Sequence, residues 1–172
     1  MIDDDGLERL KDFDAIYFGA VGRPTVPDHI SLWGLRLRIC QNFDQWANVR
    51  PVHFLPGITS PLRKADDAEL GALAGSLGLA ASANLNPERR FPSMFEPVHG
   101  SAPDIAGQGL ANPIGAVGSA ALMLEHFGLP EQAARLHRAI EATTSAGVLT
   151  RDVGGTASTE DVTKALIDAL NG

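Results

Sequence analysis

Residues 112–128, NPIGAVGSAALMLEHFG, constrain the fold more than any other stretch of this chain. Asn112 and Pro113 make a cap and first-turn pair, and Gly128 is placed to stop the helix they open. The body between them is apolar nearly all round, so this helix belongs in the interior. Pro130 opens a further helix that ends near Gly147. VLTRDVGG (148–155) reads as a short strand and turn, and STEDVTKALIDALN (158–171) as an amphipathic terminal helix.

Upstream, the elements alternate. DAIYFGAVG (14–22) is a short apolar run closed by glycines, the pattern of a buried strand feeding a loop. In PDHISLWGLRLRICQNFDQW (27–46), Leu32, Leu35, Ile39, Phe43 and Trp46 fall at helical spacing on one face. NVRPVHFLPG (48–57) is extended, and Pro51, with no N–H to donate, restricts it to a sheet edge. Asp66 and Glu69 resemble a capping box opening a helix with Leu70, Leu73 and Leu77 on one side. The class is α/β, helix-dominant with a short sheet, and residues 1–172 read as a single compact domain without internal repeats.

Composition narrows the function. Fourteen basic residues against 21 acidic ones give a formal charge of −7, which disfavours nucleic acid as a partner and suits small-molecule metabolism. A single cysteine, Cys40, excludes an internal disulfide and fits a reducing compartment. The acidic start, MIDDDGLERLKDFD, has no signal-peptide core, and no apolar run is long enough to span a bilayer. These features predict a cytoplasmic protein with no membrane partner.

The chemistry concentrates in MFEPVHGSAPDIAGQGLANP (94–113). Gly100 and the Ser101–Ala102 amides can form a backbone nest for phosphate groups. Asp104 can accept two hydrogen bonds from a ribose diol and would repel a 2′-phosphate, which favours NAD over NADP. His99 offers a flat ring for adenine. The same residues would also serve a structural Ω-loop whose polar groups satisfy one another, and there is no G-x-G-x-x-G to decide between the two.

FEPVHGSAPDIAGQGLANP, with GSLGLAASANLNPERRFPSM before it and SAALMLEHFG after it, closely resembles the isocitrate/isopropylmalate dehydrogenase family. The tartrate dehydrogenase/decarboxylase branch, which is D-malate dehydrogenase-like, is nearest, and DAIYFGAVGRPTVPDHISLWGLRLRICQNFDQWANVRP resembles it nearly residue for residue. The resemblance implies a large-domain remnant of the isopropylmalate dehydrogenase-like fold. It implies NAD as cofactor, with His99 and Asn112 at the adenine, Gly100, Ser101 and Ala102 along the nucleotide, Asp104 on the adenosine ribose and Glu96 near the nicotinamide end. Asp104 and Ile105 stand where NADP users carry a lysine and a tyrosine. The implied reaction is oxidation of a 2-hydroxy acid such as malate, tartrate or isopropylmalate, with β-decarboxylation, assisted by Mg²⁺ or Mn²⁺.

The chain also departs from that pattern. Arg50 in NVRP matches one substrate arginine, but Cys40 stands where the other clamp arginine is expected. Arg36 or Arg38 can deputise, and being two residues apart on a helix only one of them can face the site. Residues 1–65 match the first family segment and 70–172 the C-terminal NAD-binding segment. Most of the substrate and metal domain, with its lysine, tyrosine and metal aspartates, is therefore expected to be missing at about 65–70, as is the usual N-terminal strand. Adjacent Asp66 and Asp67 cannot both face one ion from a helix and read as a solvated cap; no metal ligands are found, and no complete catalytic set. His53 and His126 lack companions at metal spacing. Three readings stay open: a dehydrogenase of this type, a shortened NAD-binding remnant or partner subunit without turnover, and a structural remnant. The uncovered surface around residues 49–79 predicts a homo-oligomer, a two-fold dimer.

Overall fold

A computed structural model describes residues 2, 3, 5–59 and 79–172. Four strands form one sheet in the order β1–β4–β3–β2. These are β1 (Ala15–Tyr17), β2 (Ala47–Val49), β3 (Ala81–Leu85) and β4 (Ser93–Pro97). β1 runs parallel to β4, whereas β3 is antiparallel to both β4 and β2. The two central strands are buried along nearly their whole length. Neither was anticipated from the sequence. ASANL is made of small and polar residues with weak strand preference, and SMFEP ends in proline; burial between two layers, not intrinsic propensity, makes them strands.

Because side chains alternate across a sheet, the two faces differ. One face meets α4 (Ile114–His126). There the Tyr17 hydroxyl donates to the Ala116 carbonyl at 2.6 Å, Phe95 packs on the His126 ring, and a Cβ at Gly118 would lie 3.1 Å from the Ala81 methyl. α5 (Pro130–Ser145) and α6 (Thr159–Asn171) close the outer side of α4, and Ile114, Ala139, Ile140, Val162 and Leu166 form the core between these helices. The apolar helix expected at 113–128 is thus interior, with sheet on one side and helices on the other. VLTRDVGG, however, contains no strand. Residues Arg151–Val153 form a 3-10 turn closed by Gly154 at φ 84°, and the Thr150 carbonyl accepts from both the Val153 and the Gly155 amides.

The other face carries Ile16 and Met94, which pack with Ile39 and Phe43 into a second core. The predicted helix over 27–46 is three pieces: α2 (Asp28–Ser31), a π turn (Leu32–Arg36) and α3 (Leu37–Asn42). The Leu37 amide donates to the Leu32 carbonyl five residues back. That extra residue rotates the register, so Ile39 and Phe43 are buried and Leu35 packs against them while Leu32 is exposed. Trp46 lies beyond the helix end and is 64% exposed, contrary to its place in the helical pattern. The strand expected over 48–57 shortens to β2, an edge as Pro51 requires, and the one expected over 14–22 to β1. The predicted helix with Leu70, Leu73 and Leu77, and Asp66 and Asp67, lie outside the described residues. No helix among the described residues is long and apolar enough to cross a membrane. α1 (Gly6–Leu10) adds Leu7 and Leu10 to the second core.

α6 opens with a complete capping box. The Ser158 hydroxyl accepts from the Asp161 amide at 3.1 Å, and the Asp161 carboxylate accepts from the Ser158 amide at 2.9 Å. The Ser158 amide and the Ser158 hydroxyl, which donates to the same carboxylate at 2.7 Å, hold the Asp161 pKa below its usual 3.8. A carboxylate depressed in the folded state stabilises above its unfolded pKa and loses that contribution as pH falls through the folded value. The first turn of α6 should therefore begin to fray below about pH 4, seen as faster amide exchange over residues 159–163. In Asp161→Asn this acid-dependent step should disappear.

Candidate functional site

β4 carries Glu96 one residue before the strand ends, and the loop 98–112 follows directly. Glu96 is only 6% exposed, so its charge needs partners. It has three. Arg36, at the end of the π turn, donates its Nε–H to Oε1 at 2.6 Å, and its Nη2 closes on the same oxygen. Asn84 on β3 donates its Nδ2 to Oε1 at 2.9 Å. The hydrogen bond from Arg36 to Glu96 raises the Arg36 pKa, against the opposing effect of burial, and keeps the guanidinium charged. Of Arg36 and Arg38, Arg36 is the one that meets Glu96, which commits its guanidinium within the protein. No side-chain bond of Arg38 is found among the described residues; its carbonyl accepts from Asn42.

Arg50 joins the same face by a longer route. Its Nε donates to Asn48 Oδ1 at 2.8 Å, and Asn48 Nδ2 donates to Asn84 Oδ1 at 2.8 Å. Asn48 and Asn84 are ladder partners across β2 and β3, and Ser82 is the partner of Glu96 across β3 and β4. Arg50, Asn48, Asn84, Glu96 and Arg36 thus form one hydrogen-bonded chain across the sheet. Asn48 and Asn84 were missed in the sequence. The signal present there was a polar residue at every second position of AASANLN, which is period-two patterning with the polar residues inward.

Cys40 sits one turn after Arg36 on the same side of the helix, against the Ile39–Phe43 core. Burial pushes its thiol pKa up, more than Arg36 pulls it down, so the group remains a neutral thiol. It cannot replace a clamp arginine electrostatically.

The loop half of the site lies at the carboxyl ends of β1 and β4, where two parallel strands deliver their chain into adjacent loops. Residues Gly22, Arg23, Pro24, Thr25, Val26 and Pro27 face Ser101 and Pro103 across an open cleft of about 390 Å³. The loops approach so closely that a Cβ at Gly22 would collide with the Ser101 side chain. Ala102 has φ 42°, a left-handed conformation that costs a non-glycine residue free energy. Among the described residues the amides of Gly100, Ser101 and Ala102 donate to no backbone carbonyl.

Asp104 is exposed on this loop; its carbonyl accepts from Gln108 Nε2 at 2.7 Å, which leaves the carboxylate outside the loop's internal bonding. His99 is half-buried, with Nδ1 3.1 Å from the Gly100 carbonyl oxygen. Asn112 is buried at the loop's exit: Oδ1 accepts from the Ile114 amide at 3.0 Å and Nδ2 donates to Asp152 at 3.1 Å. No group of three or more His, Cys, Asp or Glu side chains that could hold a metal ion occurs among the described residues.

Open α/β sheets commonly take ligands in a crevice at the carboxyl ends of their parallel strands, and this cleft lies at such a place. Residues 66–169 match the sequence profile of the isocitrate/isopropylmalate dehydrogenase family. A probable tartrate dehydrogenase/decarboxylase of Agrobacterium vitis is 37% identical over 299 residues, covering 100% of this chain and 84% of that protein. The D-malate dehydrogenase (decarboxylating) of Escherichia coli is 30% identical over 299 residues, covering 96% of this chain and 83% of its own length. The crystal structure of isocitrate dehydrogenase from Methylococcus capsulatus superposes with a TM-score of 0.82 at 18% identity, covering 99% of this chain and 86% of that one, which speaks for the fold. The chain belongs to the isocitrate/isopropylmalate dehydrogenase family.

Removing the guanidinium should expose how much the site depends on it. Arg36→Met keeps much of the side-chain bulk but strips the buried Glu96 carboxylate of its cation. It should cost about 1–3 kcal/mol, read as a lower urea midpoint at unchanged slope.

Proposed function

We propose that this chain is an NAD-dependent oxidoreductase of the tartrate/D-malate type, acting on a small 2-hydroxy acid by oxidation and decarboxylation. The single observation that carries the reading is the loop after β4: a strained Ala102, amides of Gly100–Ala102 outside the backbone ladder, and a close-approach glycine on the facing loop. Such a loop fits a dinucleotide phosphate, and strain of this kind persists where the surroundings and a ligand select it.

When bound, NAD supplies the hydride acceptor. The chain's own residues then divide the work of recognition. The Gly100, Ser101 and Ala102 amides hold phosphate oxygens, and the Asp104 carboxylate accepts from ribose hydroxyls and disfavours a 2′-phosphate. His99 and Asn112 meet the adenine, His99 through its ring. Arg50 holds a substrate carboxylate through its guanidinium edge. The described residues offer no cluster of ligands that fits a metal ion.

A second reading, NAD binding without turnover by a shortened chain or partner subunit, is favoured by a different observation. The chain's single tyrosine, Tyr17, donates its hydroxyl to the Ala116 carbonyl, and burial pushes its pKa up, so it is badly placed to move protons. The alignment with the Agrobacterium protein extends over 299 residues although this chain has 172, which supports a family segment having been lost.

Calorimetry should find NAD binding more tightly than NADP, and Asp104→Ala should weaken NAD by about tenfold, narrowing the gap. Equal affinities in the unmutated chain would sink the assignment of Asp104. NADH absorbance with tartrate or D-malate and Mn²⁺ then separates the two readings. NADH formation that is lost in Arg50→Ala supports the dehydrogenase; binding without NADH formation supports the remnant.

A further inference from the structure

The polar face of the sheet is ordered by direction as well as by contact. Glu96 as a carboxylate can only accept, so Asn84 must present its NH₂ group to it, as it does at 2.9 Å. That leaves Asn84 Oδ1 turned toward β2, where it accepts from Asn48 Nδ2 at 2.8 Å. Asn48 Oδ1 is thereby left as an acceptor, and it takes the Arg50 Nε–H at 2.8 Å. Turning either amide over would set carbonyl against carboxylate at one end or NH₂ against guanidinium at the other. The two charges that bracket the pair fix the orientation of both amides.

The backbone supports this order. Asn48 and Asn84 are held opposite each other in the β2–β3 ladder, and Asn84 is buried. Arg50 lies just past β2 on exposed chain, and Asn48 is its hydrogen-bond partner among the described residues. A guanidinium gripped at Nε keeps both Nη groups for a bidentate carboxylate and loses less freedom on binding one.

We propose that Asn84 and Asn48 are positioning residues, an amide relay that sets the orientation of the Arg50 guanidinium from the Arg36–Glu96 pair and leaves its Nη edge to receive the carboxylate of a small hydroxy acid. The anion rests on the functional reading above; the relay does not.

Asn84 touches neither Arg50 nor the anion, which makes it the informative position. In the full chain labelled with ¹⁵N, Asn84→Ala should shift the Arg50 Nε–Hε resonance and speed its exchange with water. D-malate binding by calorimetry should weaken about three- to tenfold. An Arg50 resonance that stays put in the folded variant overturns the relay. Should Asn84→Ala fail to fold, Asn48→Asp on the exposed edge strand runs the test in reverse. A carboxylate at position 48 cannot donate to Asn84, so Asn84 must reorient and the Arg36 Nε–Hε resonance, two residues removed, should shift. An unmoved Arg36 resonance overturns the relay. Both shifts without any D-malate binding would uphold the relay and overturn the substrate reading alone.

Discussion

A buried carboxylate at the centre of the sheet organises this protein. Glu96 lies on a strand covered on both faces, where an ionised group without partners would cost several kcal/mol. Its compensation comes from three directions: Arg36 across the layer, Asn84 along the sheet, and the strand pairing that brings both within reach. The π turn belongs to the same requirement. A regular helix over 28–42 would present a different side chain at the place where Arg36 meets Glu96, so the inserted residue is tied to the ion pair it delivers.

The two faces of the sheet have accordingly separated their tasks. The α4 face is packed by small contacts, Gly118 on Ala81 and His126 on Phe95, and supports the helical half of the molecule. The opposite face combines an apolar core of Ile16, Ile39, Phe43 and Met94 with a polar strip running from Arg36 to Arg50. β4 serves both faces and then passes directly into the loop with Ala102 at φ 42°. A change in the register of this strand would displace the ion pair, the relay and the loop together.

Family membership gives the cysteine a meaning. Where the resemblance places a clamp arginine, this chain has Cys40, and an arginine stands one turn earlier at Arg36. The shift keeps a cation on the same side of the helix but directs its fork into Glu96. Arg36 therefore acts within the protein, and Arg50 is left as the arginine of this face whose Nη edge is not committed to Glu96. The proposed single-arginine recognition of a carboxylate follows from that difference.

The amino-acid sequence by itself determined the helical half and the turn-rich character of the loop after β4. The apolar body of 114–126, Pro130, and Ser158 three residues before Asp161 are local signals, each written within a few residues and acting through the backbone nearby. That HGSAPD is loop and not helix or strand was legible for the same reason. Tertiary structure decided what depends on residues distant in the chain. ASANL and SMFEP become central strands only because two layers close over them. The exposure of Leu32 and the choice of Arg36 over Arg38 depend on a π turn that helical periodicity does not encode, and Trp46 is exposed because the helix ends before it. The relay through Asn48 and Asn84 exists because the strand pairing sets residues 36 positions apart side by side. Hydrogen bonds between amides are short-ranged and directional, so their partners are fixed by the fold and not by any pattern within one segment.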